Sequence, residues 1–309
     1  MKASRLDFLA MAALIPAGLA AQPGLPDTGS RIAALATRIE RQPDDFQARL
    51  ERTRLEVRWY RETADPAKLA AARRTLAEFV KQFPSHFAAR KLEVEILLLE
   101  ERYAEAEPLA FQLNKEVPDD RDCYGYLADL AVRRGDYAEA ERQVQWMLNL
   151  RKEEIPGRWK AIELREAFGE VDGALQLLGD VFGRIPPEDA FERARLLALG
   201  ARIARAAGRG ELASQFEARQ RELFPALVEL PGPEMGAWRR AADQLRRGEV
   251  RAALAFMEQS PRRDIPSRLL YAEALAAAGR RAEAKAQLAI VREIGYRGVR
   301  LQELEARIE

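Results

Sequence analysis

One histidine and one cysteine stand in a chain of 309 residues, and that scarcity limits the chemistry before any fold is considered. His86 follows Ser85, an order that suggests half of a nucleophile–base pair. Such pairs are assembled from distant segments, so neighbours behind a proline read instead as a helix cap. One His and one Cys cannot supply the usual zinc shell. Asp119, Asp120 and Asp122 could face a cation, but no glycine-centred loop or distal glutamate follows at calcium-loop spacing. They too read as capping residues. Gly208-Arg-Gly210 lacks the preceding strand that a dinucleotide loop needs. Carboxylate pairs such as Glu153-Glu154 carry no weight among 49 acidic residues. The reading is of a chain with no catalytic residues, no metal site and no cofactor, which is not an enzyme.

What remains is recognition chemistry. Arginine outnumbers lysine, and the guanidinium fork suits carboxylates. The net charge of +1 gives no field to hold nucleic acid. Hydrophobic residues make up 48% and charged residues 32%, enough for a core with solvated outer faces. Cys123 reads as a small packed thiol. Residues 1–21 read as an export leader: Lys2 and Arg5, an apolar run from Phe8, and small residues for cleavage near Ala20 or Ala21. This predicts a periplasmic or secreted protein with a flexible start over 22–30, and no membrane insertion once the leader is gone.

The elements that would carry a recognition surface are set by a repeat. Ala72, Ala106, Ala140 and Ala174 are spaced evenly, and Ala213, Ala253 and Ala284 continue the series more loosely. A period in this range marks stacked helix pairs. Four residues after each alanine stand Leu76, Ala110, Val144, Leu178, Glu217, Met257 and Leu288, on the same helix face and apolar except for Glu217. Five residues before, Gly135, Gly169, Gly208, Gly248 and Gly279 recur where a helix must end. Pro84, Pro118, Pro186 and Pro225 close the second helices. The reading is all-α, with repeats over 31–224 and 237–298, a Pro/Gly-rich connection over 225–236 that allows a bend, and a capping helix over 299–309. Ser30 is the expected cap of the first helix.

These columns resemble the tetratricopeptide repeat. Tyr124, Leu127, Ala128, Ala131, Gly135, Tyr137 and Ala140 fall on that family's aromatic, Leu, small, packing, Gly, Tyr and Ala positions. Arg165 and the inserted residues after 186 depart from it. The resemblance implies a right-handed α-solenoid of about seven antiparallel helix pairs, with first helices lining a concave groove. It implies groove positions at Lys91, Glu95, Asp129, Arg133, Trp159, Glu163, Glu166, Arg202, Arg205, Trp238, Arg246 and Glu273. The expected function is a non-enzymatic scaffold that binds a protein or peptide partner there. The alternative is a glycan or small-ligand module, with Trp159 or Trp238 stacking on a sugar face.

Overall fold

The seven alanines of the repeat are all buried, none more than 2% exposed. A methyl-sized side chain at that position lets two helices of a pair cross closely. The computed structural model describes residues 27–151, 154–225, 227, 238–259 and 262–308. The leader, residues 22–26, Glu153 and nearly all of the 225–236 connection lie outside the described residues. The described residues form helices packed in consecutive pairs.

A leading helix α1 (Thr28–Arg41) covers the first pair, α2 (Phe46–Thr63) and α3 (Pro66–Gln82). Then come α4 (Phe87–Leu99) with α5 (Tyr103–Glu116), and α6 (Arg121–Arg134) with α7 (Tyr137–Leu150). Next are α8 (Ile155–Ala167) with α9 (Val171–Phe182), and α10 (Ala190–Ala206) with α11 (Gly210–Leu223). Beyond the connection lie α12 (Arg239–Arg246) with α13 (Val250–Gln259), α14 (Ile265–Ala277) with α15 (Arg281–Ile294), and the final helix α16 (Val299–Ile308).

The capping roles expected of His86 and Asp120 are seen in the structure. Asp45, Asp120 and Asp189 accept backbone N–H groups of the first turns of α2, α6 and α10. His86 does the same for α4, with Nδ1 3.4 Å from Ala89 N. The first helix begins earlier than expected. Asp27, not Ser30, is its cap, and both N and Oγ of Ser30 donate to the Asp27 carboxylate. Where the glycine column lapses, other residues take the left-handed turn: Glu101 at φ 59° and Ala64 at φ 54°. Arg165 lies on the surface and donates to the Gly173 carbonyl at 3.0 Å.

The C-terminal helices do not prolong the stack from the fifth pair. Their core joins Trp238, Met257, Leu269 and Leu288 to Tyr137, with Val132, Leu164 and Phe168 packed against it. Those last four belong to the third and fourth pairs. Ile265 N donates to Tyr137 Oη at 2.8 Å, and Arg297 N donates to the Phe168 carbonyl at 2.9 Å. Helices α12–α16 are therefore folded back onto the turns of the third and fourth pairs. Two glycines permit the contact. A Cβ on Gly135 (φ +76°) would stand 2.6 Å from the Arg263 carbonyl oxygen, and one on Gly169 (φ +72°) would stand 2.4 Å from Gly298 N.

Candidate functional site

The first helices of five consecutive pairs, α2, α4, α6, α8 and α10, share one concave face, and it holds a cavity of about 600 Å³. Side chains three and four apart lie on one stripe of a helix, so each helix presents a short series. Tyr60 and Arg61 come from α2, Glu95, Leu98 and Leu99 from α4, and Tyr126, Asp129 and Arg133 from α6. Trp159, Lys160 and Glu163 come from α8, and Glu192, Arg195 and Arg202 from α10. The curvature of the stack brings its ends together. Arg58 Nη2 on α2 lies 3.7 Å from Asp189 Oδ1 at the start of α10, and its guanidinium sits 4.8 Å from the centre of the Phe191 ring.

The charged side chains on this face form a ladder from pair to pair. Arg61 meets Glu95 at 2.8 Å, tying α2 to α4. Lys91 meets Asp120 at 2.8 Å and Asp122 at 2.7 Å, tying α4 to the start of α6. Lys160 meets Asp129 at 2.7 Å and Glu163 at 2.9 Å, tying α6 to α8. Arg202 binds both carboxylate oxygens of Glu166 at 2.7 Å, tying α8 to α10. Each rung joins side chains about one repeat apart, so a complete ladder holds the spacing of neighbouring pairs. The bidentate Arg202 rung also fixes orientation.

Burial and these partners displace the titrations. Burial opposes the charge on Lys160, but the Asp129 and Glu163 carboxylates outweigh it and hold its pKa above the ordinary lysine range. Burial pushes Asp129 above the usual carboxylate range, against the pull of Lys160, and the Glu163 charge adds to the rise. Glu163 goes the other way. Burial opposes its charge too, yet Lys160, with Arg202 and Arg195 beyond it, lowers its pKa. Burial and the Glu95 charge raise the Tyr126 phenol well above its ordinary value, so it stays a neutral donor.

The aromatic residues of the face are also engaged. Trp159 Nε1 donates to Glu163 Oε1 at 3.0 Å, and Arg195 lies 5.0 Å from the indole centre. Arg133 stands 5.1 Å from the centre of the Tyr103 ring. Its Nη1 is buried without a hydrogen-bond partner, and among the described residues no carboxylate lies within ion-pair distance of it.

The structure thus gathers Glu95, Asp129, Arg133, Trp159, Glu163 and Arg202 on the cavity wall, with Lys91 and Glu166 behind it as rung partners. Four expected groove residues lie elsewhere. Arg205 turns to Glu217 on α11, which also explains the acidic lapse in an apolar column. Trp238 is 1% exposed in the C-terminal core, because the fold-back buries the start of α12. Arg246 is exposed beside Asp243. Glu273 pairs with Arg300 at 3.0 Å and Arg307 at 3.4 Å, under the final helix. The family register missed Arg61, Tyr126, Lys160, Glu192 and Arg195. All but Arg61 lie three or four positions from another wall residue of the same helix, which is the signal that finds them; Arg61 follows Tyr60 directly.

Asp120 and Asp122, weighed above as cation ligands, are spent on capping and on Lys91. Cys123 is fully buried, and burial, followed by the Asp120 charge, pushes its thiol up to about 12.

Comparison with solved structures agrees with this architecture. The chain is similar to the APC/C hetero-tetramer Cut9–Hcn1, at 13% identity and TM-score 0.50, over 99% of this chain and 56% of that one. It also aligns with a tetratricopeptide repeat protein from Parabacteroides merdae, at 13% identity and TM-score 0.42 over 91% and 92% of the two chains. A third is YrrB, described as a TPR protein with an unusual peptide-binding site, at 15% identity and TM-score 0.35 over 63% and 94%. No protein-family model and no curated protein sequence matches the chain. The fold is an all-helical, TPR-like stack of helix pairs.

Proposed function

We propose that this protein is a non-enzymatic scaffold that holds an extended segment of a partner protein across the first helices of its first five pairs. The observation that carries this reading is the cavity itself: about 600 Å³, reached by side chains of five consecutive first helices. A cavity lined by five successive helices suits an extended chain better than a compact ligand. Its walls are pre-ordered by the ladder, so little conformational entropy is lost there on binding. The sugar-stacking alternative loses support, since Trp238 is in the core and Trp159 carries Arg195 near its ring.

A photo-reactive phenylalanine analogue at Ala198, on the cavity wall, tests the reading against the same analogue at Phe111, an exposed position on a second helix. Polypeptide adducts at 198 that are absent at 111 are expected. Adducts that are equal at both sites would remove the groove from the account. We also propose that the protein works outside the cytoplasm, on the strength of the leader-like residues 1–21. Sequencing the amino terminus of the protein made in a bacterial host tests this. A start near Gln22 is expected, and an uncleaved Met1 would refute it.

A further inference from the structure

We infer that the partner segment carries one acidic side chain, Asp or Glu, in its interior, and that Arg133 receives it. The inference rests on the peptide-binding reading above and narrows it. The other cations on the cavity wall have carboxylates at hand: Arg61 has Glu95, Lys160 has Asp129 and Glu163, Arg195 has Glu192, and Arg202 has Glu166. Arg133 has the Tyr103 ring and, among the described residues, no carboxylate within ion-pair distance. An aromatic ring attracts a cation but offers no lone pair to an N–H donor. The buried Nη1 accordingly goes without a hydrogen bond, and a buried donor left unpaired costs free energy. Turning the guanidinium toward a carboxylate in the cavity would recover a charge-assisted bond while breaking no ion pair.

Position selects an internal side chain over a chain terminus. Arg133 stands on α6, the third of the five first helices. A segment lying across all five passes this residue midway, where a peptide offers side chains and backbone but no terminal carboxylate. The satisfied rungs set the rest of the specificity. Additional acidic or basic residues in the segment would have to compete with ion pairs already made. Carboxylates slightly outnumber cations on the wall, so no general field draws anions in, and recognition is local. A segment with one acid among apolar and neutral residues fits, and a polyacidic one does not.

A positional-scanning library of nonapeptides, acetylated at the amino terminus and prepared both amidated and as free acids, tests this on the full chain. Each position is fixed in turn as Glu, Gln, Lys or Leu. The comparison proteins are Arg133→Gln and Arg133→Lys, each checked for the wild-type melting curve. The wild type is expected to favour Glu over Gln at one interior position by roughly 10-fold, the value of one charge-assisted bond. Arg133→Gln should lose that preference, and Arg133→Lys should keep part of it. Peptide binding with no preference for an interior acid, or a preference unchanged in Arg133→Gln, overturns the inference and leaves the scaffold reading standing. Preference only for unamidated peptides would assign the site to a terminal carboxylate and overturn it also. If the wild type enriches no peptide at all, the scaffold reading itself fails and takes this inference with it.

Discussion

Replacing Lys160 with methionine removes one cation from between two carboxylates. Lys160 Nζ is 2.7 Å from Asp129 and 2.9 Å from Glu163, and the three side chains retain 24%, 33% and 28% exposure. Breaking a fully buried pair costs about 3–5 kcal/mol, and an exposed pair is worth about 0.2–1 kcal/mol. Partial burial puts the loss between these, at about 2 kcal/mol at pH 7. The pH dependence is the sharper part of the prediction. Asp129 already has a folded-state pKa raised by burial and by Glu163, with Lys160 opposing the rise. Without Lys160 it rises further, so between neutral pH and the unfolded value the folded chain binds a proton that the unfolded chain does not. Stability then increases as pH falls through that window. The deficit of Lys160→Met relative to wild type should shrink by about 1 kcal/mol between pH 7 and pH 5. Urea unfolding followed by circular dichroism at the two pH values measures it, with Asp129→Asn completing a double-mutant cycle. A deficit below about 0.5 kcal/mol, or one that is the same at both pH values, would refute the claim that this rung ties α6 to α8.

Other consequences are simpler to check. Arg58→Ala should cost about 1–2 kcal/mol, because it removes two partly buried pairs, with Asp189 at 3.7 Å and with Glu62 at 3.0 Å. It should still lengthen a spectroscopic distance between labels on α2 and α10, and an unchanged distance would show that curvature alone closes the stack. Gly169→Ala forces a Cβ to 2.4 Å from Gly298 N at φ +72°. Hydrogen exchange should therefore speed up over 296–308 while 46–116 is unaffected; uniform protection would contradict the docking contact. Cys123, buried and with its thiol pushed up to about 12, should react with a thiol reagent at neutral pH only when the chain unfolds. Rapid labelling of the native protein, or a disulfide-linked dimer on a non-reducing gel, would contradict its placement.

The repeat was legible because it is written in small residues whose role is local. An alanine at a helix crossing or a glycine at a left-handed turn is required by the backbone nearby, and the register follows from the chain alone. The site was legible only as a face. The register pointed to Lys91, Glu95, Asp129, Glu163, Glu166 and Arg202, yet the rungs they form depend on which neighbour each side chain meets one repeat away. Arg202 and Arg205 look alike in sequence, and three positions on a helix separate a groove-facing rung from the Glu217 contact on α11. Trp238 was beyond sequence reasoning for a different reason. Its burial depends on α12–α16 folding back onto the third and fourth pairs, and a Pro/Gly-rich connection permits a change of direction without stating where the chain goes. The Arg58–Asp189 contact is likewise a sum of small rotations over several pairs, which no single repeat encodes.

The most direct test of the central claim uses the partner segment captured at position 198, synthesised as a peptide and titrated by calorimetry into wild-type protein and into Ala198→Trp. Ala198 lines the cavity beside Arg195 and Leu199, and an indole there occupies the groove and replaces none of the residues that form the rungs of the ladder. The account predicts saturable binding to the wild type and at least a tenfold loss in a variant with an unchanged melting curve. Equal affinity for the two proteins would place the partner elsewhere on the molecule and contradict the account.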